Sequence, residues 1–119
     1  MEVIQFEARW VDTWLEDGAQ HVIWAASDEP DAERFSLQRD ISDPDGSYYC
    51  ERNDQDQGCY GGIAQLHLNR TQLLVWLTPK GSDRLGCELI LLHFSTSEAR
   101  YAELRATMQR VLAGTGLIE

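Results

Sequence analysis

No hydrophobic run in this chain of 119 residues approaches the roughly 20 residues that a bilayer-crossing helix needs. Positive charge is scarce as well: ten Lys and Arg face twenty Asp and Glu, a formal net charge of −10. Such a field repels nucleic acid and anionic lipid and speeds encounter with a basic partner, although acidic surfaces also simply keep proteins in solution. Cysteine is sparse and odd in number. Cys50, Cys59 and Cys87 therefore make no disulfide framework and fit reduced, half-buried thiols, with Cys50 and Cys59 near enough in sequence for neighbouring strands. The opening MEVIQFEARW carries acids where a secretion signal carries basic residues, so the expected address is the cytoplasm. Length and a hydrophobic content of 43% fit one domain, residues 1–119, with a single core.

Catalytic and metal-binding patterns are missing too. There is no Gly-x-Ser-x-Gly elbow and no cysteine in a nucleophile context. His21, His67 and His93 each fall inside a strand-like arm, where a histidine is far more often packed or solvated than catalytic. No Cys or His pair has zinc spacing. Asp54–Gly58 fails as a calcium loop: with Gly58 as the loop glycine the ligand positions fall on Asn53, Gln55 and Gln57, and Ala64 stands where the bidentate Glu belongs. Tyr60-Gly61-Gly62-Ile63 has no lysine and no helix behind it, so it reads as a bend or bulge at a strand start, not a phosphate cradle. Paired carboxylates such as Glu51 and Asp54 arise by chance among twenty acids. The expectation is a protein without enzymatic activity, cofactor or metal.

What is present is mostly of period two. Val3–Trp10 reads as a first strand, Trp14–Gly18 as a turn, His21–Ala26 as a second strand and Asp28–Asp31 as a loop. Arg34–Arg39 alternates, with Phe35, Leu37 and Arg39 on one side. Asp43-Pro44-Asp45-Gly46 is a turn by composition. Gly62–Leu68 and Gln72–Leu77 form a hairpin around Asn69-Arg70-Thr71, and Glu88–Phe94, apolar on both faces, belongs near a sheet centre or beneath a helix. Ser95-Thr96-Ser97-Glu98 fits a capping box led by Ser95. Tyr101, Leu104, Met108, Val111 and Leu112 then recur at helical spacing before Gly114, giving a helix over Ser97–Ala113. Short loops favour antiparallel neighbours. The expected fold is α+β: a single antiparallel sheet, a six- to seven-stranded meander, with one C-terminal helix on one face.

The polar segment SYYCERNDQDQGCYGGI, Ser47–Ile63, lies between the apolar arms as a hairpin. Alternation puts Tyr49, Glu51 and Asn53 on one face and Tyr48, Cys50 and Arg52 on the other. Tyrosines beside acids on a rigid tip suit a protein-contact surface, although a solvated hairpin with core tyrosines fits the same pattern. Trp14 with Glu16 and Asp17 is a second exposed aromatic near a turn.

The run FSLQR, then Asp45-Gly46, Tyr48-Tyr49, Glu51 and Asp54-Gln55, then YGGI and the apolar hairpin, strand and terminal helix, resembles the immunity proteins of bacterial polymorphic toxin systems. Within them it is similar to the immunity protein 10 family. The similarity covers residues 35–113 and is most distinctive at Tyr49, Glu51, Asp54, Gln55, Gly58, Tyr60, Gly61, Gly62 and Ile63. It implies a small, non-catalytic bacterial protein of the cytoplasm that binds and neutralises a cognate secreted toxin. The acidity fits a basic toxin such as a nuclease. The expected contact residues are Tyr48, Tyr49, Glu51, Asp54, Gln55, Asp56 and Tyr60. The alternative is a small acidic secretion chaperone or another protein-binding module, yet such chaperones usually begin with an amphipathic helix and residues 1–10 alternate as a strand. An enzyme remains in play only if a pocket gathers Glu51, Asp54 and a histidine.

Overall fold

The computed structural model describes residues 1–43 and 45–118. Its strands are β1 Val3–Ala8, β2 Trp10–Glu16, β3 Ala19–Ala25, β4 Arg34–Asp40, β5 Tyr49–Arg52, β6 Gly58–Tyr60, β7 Ile63–Leu68, β8 Gln72–Leu77 and β9 Leu89–Phe94. Helix α1 spans Pro79–Leu85 and α2 spans Glu98–Val111. The class is α+β, but the strands make two sheets instead of the single antiparallel meander expected. β2-β3-β4-β5-β6 form a five-stranded antiparallel meander, and β1-β9-β8-β7 form a four-stranded mixed sheet.

The difference has a physical cause. Loop length constrains only consecutive strands, and β1 and β9 are not consecutive: they pair in parallel, Val3 opposite Leu89 through Ala8 opposite Phe94. The arm Val3–Trp10 is broken at Arg9, and its two sides enter different sheets. The return crossing is Gly61-Gly62, both with left-handed φ (70° and 92°), a conformation that glycine adopts without a side-chain clash. That assigns the Tyr-Gly-Gly element as the joint from β6 in one sheet to β7 in the other, in keeping with the expected bend.

The turn between β2 and β3 is shorter than Trp14–Gly18. Asp17 and Gly18 alone make it, with φ of 52° and 83°, the two-residue Asp-Gly hairpin connection. β2 therefore runs on through Trp14. Of the turn at Asp43–Gly46, Pro44 lies outside the described residues; Gly46 N donates to Asp43 O at 3.1 Å. The hairpin around Asn69 forms where expected, with the Asn69 side chain accepting from Thr71 N and Gln72 N at 3.0 and 2.8 Å.

Helix α1 was not anticipated. Thr78 caps it by accepting from Gly81 N at 3.0 Å, Pro79 opens it and Gly86 closes it in the left-handed region. In α2 the cap is Ser97, which accepts from Arg100 N at 3.1 Å, and not Ser95. The carbonyls of Thr96 and Ser97 are drawn onto the Arg70 guanidinium at 2.9 and 3.2 Å, so the chain turns into the helix two residues later. Leu104, Met108 and Val111 are buried as the spacing predicts, joined by Thr107 and Leu112. Val22, Trp24, Phe35 and Leu37 of the meander share one buried cluster with Leu73, Val75, Ile90 and Leu92 of the mixed sheet and with Leu104 and Met108 of α2. Among the described residues no helix is long and apolar enough to cross a membrane.

Candidate partner-binding site

Helix α2 closes the inner side of β2–β4. Arg100 donates to Asp12 Oδ1 and Val11 O at 3.0 and 3.1 Å, Arg110 to the buried Gln20 at 3.1 Å, and Arg39 to Ala113 O at 2.7 Å. The inward residues of the meander, Gln20, Val22, Trp24, Phe35, Leu37 and Cys50, are all buried. The residues between them, His21, Ile23, Ser36, Gln38, Tyr49 and Glu51, are half-buried, and they form the sheet's outer face.

Register places one continuous row across that face. Trp14 pairs with His21, His21 with Gln38, Gln38 with Tyr49 and Tyr49 with Tyr60. Directly opposed residues of antiparallel strands point to the same side, so the row reaches from β2 to β6. Its two ends are aromatic pairs. Trp14 and His21 stack with ring centroids 4.8 Å apart and planes 1° from parallel, and Tyr49 and Tyr60 lie 5.0 Å apart and tilted. Tyr60 is 66% exposed and Trp14 38%. Beyond the row, Trp10 is 48% exposed and lines a hollow of about 470 Å³ with Ile23, Pro30 and Arg34.

Carboxylates border the row on both sides. Glu16 and Asp40 lie in one adjacent row, each opposite Ala19; Asp12 and Glu51 lie in the other, with Ile23 and Ser36 between them. The Tyr49 hydroxyl donates to Glu51 Oε1 at 3.1 Å. Burial first, and then that carboxylate, push the phenol up to about 12. Asp40 accepts from the Ser42 hydroxyl and amide, which holds it below the usual carboxylate range. Tyr49, Tyr60, Gln38, Asp40 and Asp43 line a recess of about 260 Å³ on this face. Tyr49 can lie as it does because residue 58 is glycine: a Cβ there would run into the tyrosine ring and hydroxyl.

Of the contact residues expected from sequence, Tyr49, Glu51 and Tyr60 lie together on this face. Asp54, Gln55 and Asp56 are exposed at the tip beyond it, where the Asp54 side chain accepts from Asp56 N at 3.0 Å and starts a 3-10 turn. Tyr48 is elsewhere: it is 6% exposed and its hydroxyl accepts from Ile63 N at 3.0 Å, so it ties the two sheets together from inside. His21, Gln38 and Trp10 were missed as members of the face. The Asp17-Gly18 pair was the signal that would have extended β2 and set Trp14 opposite His21.

Cys50 and Cys59 do lie opposite one another on β5 and β6, as free, buried thiols. Burial first, then the Cys59 thiol, push Cys50 up to about 12, which keeps it protonated and unreactive. The histidines are dispersed: His21 stacks on Trp14, His93 contacts Gln5 at 3.3 Å, and His67 is exposed on β7. The site offers contact area and negative charge. A family model, Immunity protein 10, matches residues 7–102, and the chain belongs to that family. No curated protein matches it. Membership implies toxin neutralisation as the role and a cognate toxin as the partner; such proteins are typically non-catalytic.

Proposed function

We propose that this chain acts in the bacterial cytoplasm by binding its cognate toxin domain directly and holding it inactive in a stoichiometric, non-catalytic complex. Family membership carries the reading. The charge supports a partner class: a chain of net charge −10 is steered onto a basic surface such as that of a nuclease. Tyr49, Glu51 and Tyr60, with Asp54, Gln55 and Asp56 at the tip, are the contact residues of this reading; Tyr48 serves it only by holding the fold.

The test is co-expression with the toxin encoded beside this gene. Cells carrying both should grow, and the two chains should co-purify in equal amounts. Growth arrest in the presence of the folded protein, with no complex recovered, would sink the proposal.

A further inference from the structure

We propose that the row Trp14–His21–Gln38–Tyr49–Tyr60 is the docking face for the toxin, and that it receives a strip of Lys and Arg side chains. The inference rests on the immunity reading and names the surface that reading leaves open.

Three observations carry it. First, the row brings together residues from five strands, with an aromatic pair at each end. Aromatic side chains held in place by a sheet lose little freedom on binding and recur as anchors of interfaces. Second, the chemistry is suited to cations. Tyrosine and tryptophan faces attract guanidinium and ammonium groups, and the flanking Glu16, Asp40 and Glu51 supply the opposite charge. The basic groups close to this face are already engaged: Arg39, which also lines the recess beside Tyr49 and Tyr60, donates to Ala113 O at 2.7 Å, Arg34 donates to Pro30 O at 2.9 Å, and Arg100 is held on Asp12. Third, the alternatives fit worse. A second copy of the chain would bring one acidic border against another, because a two-fold contact pairs a surface with itself. The outer face of the mixed sheet mixes half-buried Leu74, Trp76, Leu89 and Leu91 with Gln5, His67 and His93, and among the described residues its strands bring to it one carboxylate, Glu7, so it offers a strip of cations less charge than the face of the meander.

The experiment uses the full chain and the adjacent toxin domain, made inactive by substitution. Tyr60→Ser and Trp14→Ala are compared with Gln65→Arg, an exposed position on the outer face of β7, and each variant is first checked for native circular dichroism. Each of the first two should speed dissociation by about tenfold or more, as loss of an anchor does, and Gln65→Arg should bind like the parent. Should Trp14→Ala fail to fold, side-chain oxidation of the parent gives the same answer without substitution: Trp10, Trp14 and Tyr60 should be protected in the complex. Parent-like binding by Tyr60→Ser and Trp14→Ala, or protection falling on Trp76 instead, overturns the docking face and leaves the immunity reading standing. A parent that self-associates through this face also overturns it. Failure of the parent to bind at all removes both proposals together.

Discussion

Gly62 and Gly81 meet backbone to backbone: a Cβ built on Gly81 would fall on the Gly62 carbonyl. The contact locks α1 against the joint between the two sheets, where Thr78 N also donates to Gly62 O at 2.9 Å. Gly81→Ala sets helix propensity, worth roughly 1 kcal/mol in favour of alanine, against a clash with backbone that cannot swing aside. Overpacking of this kind costs about 1–3 kcal/mol, so a net loss is expected. Urea denaturation measures it, and an alanine variant more stable than the parent would contradict the close approach.

Leu104→Ala should destabilise the chain by about 2–5 kcal/mol, the range for truncating a buried leucine; the side chain is 1% exposed. Unfolding of parent and variant in one transition is the outcome expected if residues 1–119 make one domain. A change within about half a kilocalorie, below what a buried leucine costs, would contradict the packing of α2.

Tyr48→Phe removes the hydroxyl that accepts from the Ile63 amide. An unsatisfied buried donor costs about 1–3 kcal/mol, so the variant should melt earlier yet bind the toxin with parent-like affinity when folded. Weakened binding without loss of stability would place Tyr48 at the interface after all.

Alkaline pH should weaken the fold. The Cys50 thiol is raised from 9.0 to about 12 in the native chain, and burial raises the Cys87 thiol in the same direction. As pH climbs past the unfolded value, the unfolded chain gives up these protons while the native chain keeps them. The stabilisation is therefore complete below pH 9 or so and is lost progressively as pH rises through the native value. Denaturant midpoints measured from about pH 7 to pH 11 should fall, and Cys50→Ala should fall less steeply. Equal slopes would exclude Cys50 as the cause.

At the tip, Asp54→Asn with Asp56→Asn should slow association with the toxin and flatten its salt dependence, because rim charges act mainly on encounter. The fold should survive, since asparagine caps as well as aspartate and the Asp54 cap needs only an oxygen. Stopped-flow binding at two salt concentrations distinguishes the outcomes. Parent-like rates at both would leave the tip without a role in recognition.

Local rules made part of this molecule legible. The spacing of Leu104, Met108 and Val111 and the Asn69 hairpin speak through neighbours a few residues away, and both came out as read. α1 was readable but overlooked: Thr78-Pro79 ahead of it and Gly86 behind it are cap signals. The parallel pairing of β1 with β9 was not readable, because nothing near Val3 names Leu89 as its partner. The candidate face has the same character. Its tyrosines and acids were visible one by one, but the row needs four registers in succession, and the misplaced turn at Trp14 hid the first of them.

Between Arg9 and Gly61 the chain lays down five strands in unbroken order, so contacts within the meander are short in sequence. The partnership of Val3 with Leu89 must wait for nearly the whole polypeptide, a loop closure that comes late by its entropy alone. Until β1 arrives, β9 shows one flank of unpaired amides and carbonyls along LILLHF, a template for a stranger's strand. The first eight residues thus serve as a guard over that flank, and Ile4, Phe6 and Ala8 seal the core beneath it at the same time.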